Sequence, residues 1–126
     1  MAGTLVYRVE HPDDGEGPYV GREWPDKVRM RFSHNDSRHK APHGDPALGY
    51  ISHREVCGCT DPASLREWFA TFWDGLAAGG FVVRIFEARG ARVGARGQVV
   101  FNPEYAEPLG RMTAAAFVDW YRRYDR

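Results

Sequence analysis

The residues able to do chemistry fall into three stretches of the chain. His34, His39, His43 and His53 precede Cys57 and Cys59, and histidine with cysteine is a zinc-type ligand set. The spacing argues against that use: Cys-x-Cys is shorter than the usual finger pair, and no second cysteine pair exists. A thiolate–imidazolium pair between His53 and either cysteine is the next candidate, since a helix opening at Asp61 would lower a thiol pKa from its N-terminus. Inert, partly buried thiols at a strand-to-helix junction are the expectation.

The second stretch is basic. Arg84, Arg89, Arg92 and Arg96 are interleaved with Gly90, Gly94 and Gly97, which allow a close backbone approach, and guanidinium groups on a glycine-rich turn suit phosphates. Neither a GxGxxG nor a Walker pattern accompanies them. A solvated hairpin tip, a phosphate site and a contact for an acidic protein partner all fit this stretch. The third is the acidic loop with Asp13, Asp14 and Glu16, which lacks the alternating oxygens of a calcium loop and reads as a solvated turn. From Glu10 to Asp26 there are six acids against one base, and from Lys27 to Arg54 six bases against two acids. Such separated charge suits an interaction surface or a self-complementary homodimer contact.

These groups need elements to hold them. Residues Thr4 to Glu10 make a strand with Leu5, Tyr7 and Val9 on one face and Val6 and Arg8 on the other. Val28, Met30 and Phe32 alternate with Arg29 and Arg31, which predicts a short strand with a basic, solvent-facing side. Ser33 to Gly49, including Arg38 and His39, has neither helical nor strand period, and long irregular segments are usually functional or mobile. Tyr50 to Val56 suggests another short strand or turn. Asp61-Pro62 supplies an N-cap and a first-turn proline. Leu65, Trp68, Phe69, Phe72, Trp73 and Leu76 then form one apolar stripe along a single helix that Gly79-Gly80 ends. Phe81 to Ala88 reads as a central strand, with Gln98 to Phe101 as its hairpin partner. Thr113 caps a last helix carrying Phe117, Trp120, Tyr121 and Tyr124, with Met112 and Phe117 as a hydrophobic staple. The expected fold is α+β: a small, mostly antiparallel sheet packed by two amphipathic helices.

Length and composition set outer bounds. A chain of 126 residues suits a single domain with one core. Seventeen basic and seventeen acidic side chains cancel, so no overall field draws the molecule to nucleic acid or membrane. The N-terminus lacks a signal-peptide pattern and no apolar run reaches a membrane span. With two cysteines one residue apart, a reducing, cytoplasmic setting is expected.

Several segments resemble a family of small accessory proteins encoded by bacteriophages and prophages. They are Tyr7-Arg8-Val9-Glu10-His11-Pro12, Gly15-x-Gly17-Pro18-Tyr19, and Asp36-Ser37-Arg38-His39 with Pro42. Ser64-Leu65-Arg66-Glu67-Trp68-Phe69, Gly80-Phe81-Val82-Val83-Arg84 and Gln98-Val99-Val100-Phe101 complete the pattern. Cys57-Gly58-Cys59 departs from the family's single Cys-Gly-aromatic. The resemblance implies a protein that blunts host defence, as anti-CRISPR proteins and sponges for signalling nucleotides do. A fainter likeness, in Tyr7-Arg8 and in Val99 to Glu104, is to ADP-ribosyltransferase folds. That likeness implies an early arginine holding NAD and a late strand glutamate; Gly97-Gln98 stands where the glutamate belongs, with Glu87 and Glu104 as the nearest substitutes.

The function expected from these readings is stoichiometric inhibition of a bacterial defence system through charged loops, without catalysis, metal or cofactor. The binding residues are Arg84, Arg89, Arg92, Arg96, Asp13, Asp14, Arg38 and His39. The expected partner is a host protein or ribonucleoprotein complex, with a nucleotide ligand or NAD-using activity as the alternatives.

Overall fold

The computed structural model describes residues 3–19, 23–33, 47–95 and 97–124, without the side chains of 31–33 and 124. The elements run β1 (Thr4–Glu10), α1 (Lys27–Ser33), β2 (Val56–Cys59), α2 (Pro62–Trp68), α3 (Trp73–Ala78) and β3 (Val82–Ala88). Then follow β4 (Arg92–Val93), β5 (Gln98–Phe101), a 3-10 turn (Pro103–Tyr105), β6 (Ala106–Thr113) and α4 (Ala114–Tyr124). The strands form one sheet in the order β4-β5-β2-β1-β3-β6, every pair antiparallel. The expected α+β class with a small antiparallel sheet is the observed one.

The connection between β3 and β4 forces the sheet to curl. Three residues, Arg89 to Ala91, join strands that lie four places apart in the sheet order. Fully extended they span roughly 14 Å, whereas four strand spacings in a flat sheet come to roughly 19 Å. The direction of the curl follows from Phe86 on β3 and Phe101 on β5. Their ring centroids are 5.4 Å apart although β1 and β2 run between their strands. The face carrying Val6, Phe86, Ala88, Val99 and Phe101 is therefore the inside of the curl, and these five form one buried cluster.

The outer face packs the helices. Val9, Cys59 and Val83 meet Leu65, Phe69, Phe72, Leu76 and Phe117 in a second, larger cluster. The two-residue alternation of β1, written in the sequence, divides the clusters: Val6 goes inward and Val9 outward.

Three expectations are corrected. Residues 28–32 are not a strand: they lie in α1, where the Asp26 carbonyl accepts the Met30 N–H at 2.8 Å. Five alternating residues also fit a helical turn, and burial decides between them. Lys27 and Met30, three apart, are buried, while Val28 is 63% exposed. Lys27 is accommodated by its Nζ donating to Glu23 Oε1 at 3.2 Å. The single helix from Asp61 is two, α2 and α3, because Thr71 takes a left-handed φ of 73° between them. That conformation is unfavourable for a β-branched residue. The break nevertheless keeps Phe69 and Phe72 buried on either side and sets Phe69 edge-on to Trp73 at 5.9 Å. With α1 and this division, four helices are present among the described residues rather than two. Finally, β5 is not the hairpin partner of β3. It pairs with β4 and β2, while β3 lies between β1 and β6.

Strand β6 had no counterpart in the sequence reading. Pro108 and Gly110 break its pattern, and it is an edge strand with a register shift opposite Ile85 and Phe86, where proline is tolerated. Of the short strand or turn expected over Tyr50 to Val56, the turn is present, with the Glu55 N–H donating to the Ser52 carbonyl at 3.1 Å, and the strand begins at Val56, so Cys57-Gly58-Cys59 lies inside β2.

The helix caps are as expected. Asp61 Oδ1 accepts the Ser64 N–H at 2.7 Å and Oδ2 accepts the Ser64 hydroxyl at 3.0 Å. Gly80 follows α3 with φ 81°, a conformation in which a side chain would be strained. Thr113 Oγ1 accepts the Ala116 N–H at 3.1 Å, and Met112 and Phe117 pack in one cluster. Asp61→Ala is expected to cost about 1 kcal/mol, read as a lower urea midpoint at unchanged slope. An unchanged midpoint would remove the cap from the account of α2.

Candidate functional site

The polar centre of the molecule is built at the end of β1. Alternation puts Arg8 and Glu10 on the same inward face as Val6, and both are buried, Arg8 8% and Glu10 5% exposed. Arg8 Nη1 donates to the Cys57 carbonyl of β2 at 2.7 Å, and Nη2 donates to the Gly15 carbonyl of the acidic loop at 3.1 Å. Its Nε lies 3.9 Å from Glu10 Oε1. Burial pushes the Glu10 carboxyl above its ordinary value, with Arg8 and Arg84 opposing that shift and Asp14 adding to it. The loop folds over this pair. Gly15 and Gly17 approach so closely that a Cβ on Gly15 would lie 3.0 Å from Glu10 Oε2, and one on Gly17 3.5 Å from Arg8 Nη2.

The sheet register adds two more cations. Arg8 is directly opposite Arg84, and Arg84 is directly opposite Arg111. Paired residues of an antiparallel ladder project to the same face, so one row of arginine positions crosses β1, β3 and β6. Arg8 is buried, Arg84 half-buried and Arg111 exposed at the sheet edge. Arg84 also lies over the Phe86 ring, 5.0 Å from its centroid. Among the described residues Arg111 has no ion pair or hydrogen bond from its side chain.

The other basic residues are dispersed. Arg92 is fully engaged: Nε donates to the Leu48 carbonyl (2.8 Å), Nη2 to the Tyr50 carbonyl (2.7 Å), and Nη1 to Glu55 Oε2 (2.9 Å). The Ser52 N–H, and then Arg92, hold the Glu55 carboxyl below its ordinary value. Arg89 is exposed in the turn after β3, where its backbone N–H is held by the Tyr105 carbonyl at 3.0 Å. Arg96, Arg38 and His39 lie outside the described residues.

Asp13 and Asp14 sit in the loop after β1, at the opposite end of the β1–β3 pair from Arg89. The register sets Thr4 beside Ala88 and Glu10 beside Val82. Asp14 Oδ1 accepts the Glu16 N–H at 3.0 Å. The Asp13 N–H donates to His11 Nδ1 at 3.2 Å, which requires a lone pair there. The 3.7 Å approach of Asp13 Oδ2 to the same nitrogen is therefore not an ion pair while that lone pair accepts the bond.

Among the described residues neither thiol is hydrogen-bonded to a histidine. Both cysteines are free, and Cys59 is buried in the outer cluster, where desolvation and then its neighbour Cys57 push its thiol up to about 12. His53 is exposed in the loop before β2 and hydrogen-bonds neither thiol. Among the described residues no group of three or more His, Cys, Asp or Glu is placed to hold a metal ion; His34, His39 and His43 lie outside them. The residues of the NAD-enzyme alternative do not converge. Arg8 faces inward, Glu87 projects from the opposite face beside Leu5, Gln98 starts β5, and Glu104 lies in the exposed 3-10 turn.

Sequence reasoning named Arg84 but missed its alignment with Arg8 and Arg111, and it missed Glu10. The signal available was a charged pair, Arg8 and Glu10, on alternate positions of an otherwise apolar strand. Arg111 carried none, because its strand was not legible.

A curled, wholly antiparallel sheet with helices on its outer face and an arginine row on its inner face defines a small α+β protein whose polar interior is built from strand residues. Residues 1–115 match the family described as Bacteriophage T4 Y00F protein, and the chain belongs to that family. No curated protein and no solved structure matches it significantly. Among the described residues no helix is long and apolar enough to cross a membrane.

Proposed function

We propose that this member of a phage protein family is an accessory protein that inhibits a component of bacterial host defence by stoichiometric binding in the cytoplasm. The observation that supports the reading is that charged side chains stand in exposed loops at both poles of the β1–β3 pair. Arg89 occupies the turn at one end, and Asp13 and Asp14 the loop at the other. Exposed loops on a fixed scaffold are where binding specificity concentrates, and charged groups complementary to a partner's steer and orient it. The partner class is a host protein or ribonucleoprotein complex with a complementary patch for either pole. Arg92, already committed to Glu55 and two carbonyls, supports the loop before β2 rather than contacting the partner.

The test is protection of phage infection in defence-carrying cells, alongside co-purification with the partner. Arg89→Glu or the Asp13→Lys/Asp14→Lys double variant is expected to abolish both while thermal unfolding stays within a few degrees of the parent. Full protection by both variants would overturn the assignment of the poles.

A further inference from the structure

We infer that the Arg8–Arg84–Arg111 row on the inner face of the sheet is a binding site for a linked-phosphate group, a di- or triphosphate. This inference is independent of the defence-inhibitor reading. It starts from an arrangement that folding alone does not favour: like charges directly opposite on neighbouring strands destabilise a sheet. Here two such pairs stand in succession, Arg8 with Arg84 and Arg84 with Arg111.

The protein neutralises the row incompletely. Glu10 lies against Arg8 at 3.9 Å and is within electrostatic reach of Arg84. Asp14 is close enough to Glu10 to act on its carboxyl, and the Phe86 ring supports Arg84 at 5.0 Å. Arg111 has none of these. The carboxylates are at the β1 end, so the positive charge is least compensated from Arg84 outward to the open edge of β6.

Geometry selects the ligand class. Neighbouring strands are roughly 4.8 Å apart, so the two ligand-contacting positions, Arg84 and Arg111, start from backbones one strand spacing apart. A planar guanidinium fork matches the paired oxygens of phosphate. A chain of linked phosphates offers such oxygens to successive forks, which a lone carboxylate cannot do. Arg8, fixed by the Cys57 and Gly15 carbonyls, anchors the buried end; Arg84 and Arg111 supply the donors that contact the ligand.

The experiment is calorimetric titration of the full chain at low salt with tripolyphosphate, pyrophosphate and ATP. The variants are Arg84→Gln and Arg111→Gln, with Arg89→Gln as the charge-matched control. Binding of tripolyphosphate is expected to weaken on adding salt, and to weaken about tenfold or more in Arg111→Gln and in Arg84→Gln. Arg89→Gln should leave it within about twofold. ATP binding at least about tenfold tighter than tripolyphosphate assigns the group to a nucleotide; equal binding assigns it to oligophosphate in general. Should Arg84→Gln fail to fold, Arg111→Gln, whose side chain is exposed and has no partner among the described residues, carries the test alone. No heat with any of the three ligands, or a loss in Arg89→Gln equal to that in Arg111→Gln, overturns the site.

Discussion

Arg8→Ala is expected to destabilise the protein by about 3–5 kcal/mol, the range for breaking a buried pair from one side. A small domain holds roughly 5–15 kcal/mol in total, so the variant should be largely unfolded well below the parent's transition temperature. The cost has two sources. Removing the guanidinium leaves the Cys57 and Gly15 carbonyls without their donor, which loosens β1 from β2 and frees the loop over Glu10. It also strips the buried Glu10 carboxylate of its nearest cation. Arg8→Lys should not restore stability, since one ammonium cannot reproduce a fork that reaches two carbonyls.

The pH dependence distinguishes the two sources. Glu10 already titrates above its ordinary value of 4.5, and loss of Arg8 removes a factor that lowers it. An acid whose folded pKa is raised penalises folding when it is charged, above that pKa, and the penalty vanishes as pH falls toward the unfolded value. The deficit of Arg8→Ala should therefore shrink on acidification from neutral pH and level off at the part owed to the carbonyls. Urea unfolding at several pH values measures this. A deficit independent of pH would remove the Glu10 component, and stability equal to the parent would remove the anchor role altogether.

Phe117→Ala is expected to cost about 3–5 kcal/mol as well, by a different route. Phe117 is fully buried on α4, stacked on Trp73 of α3 at 4.9 Å and flanked by Trp120 at 5.9 Å and Tyr121 at 6.3 Å. Truncation removes the ring's transfer free energy and leaves a void between two short helices. Neither helix can collapse into it freely: α4 is tied to the sheet by the Ala114 N–H donating to the Phe81 carbonyl, and α3 is wedged against Trp24 and Asp26 beside Gly75. The expected drop in transition temperature is on the order of 10–20 °C. Phe117→Leu, which conserves most of the volume, should lose less than half as much. A drop of only a few degrees in the alanine variant would mean that the outer core repacks without α4.

The elements most legible in the sequence were those whose local signals agree with their tertiary setting. β1, β3 and β5 are dense in β-branched and aromatic residues, and Asp61 and Thr113 satisfy first-turn N–H groups that need a partner in any context. The aromatic stripe from Leu65 to Leu76 was also legible as a buried surface, because burial depends on side-chain type. Its continuity as a helix was not, since nothing in Ala70-Thr71 marks a left-handed residue and only packing around Phe69 and Phe72 holds it there. α1 misled for a related reason: Val28-Arg29-Met30-Arg31-Phe32 satisfies a period of two, but a window of five residues cannot exclude a period of 3.6. β6 was hidden by Pro108 and Gly110, which an edge strand tolerates and a central strand would not.

The candidate site shows the same division. By itself the sequence determined the class of the fold, the capped helices and the apolar faces of β1 and β3, because each follows from the character of neighbouring residues. Tertiary structure decided which arginines act together. Arg84, Arg89 and Arg92 are close in the chain yet separate into a half-buried strand position, an exposed turn and a fully paired tie to Glu55. Arg8, Arg84 and Arg111 are distant in the chain yet stand side by side. The physical reason is register: hydrogen bonding between strands sets which residues are neighbours across a sheet, and that is a property of the assembled sheet rather than of any one strand.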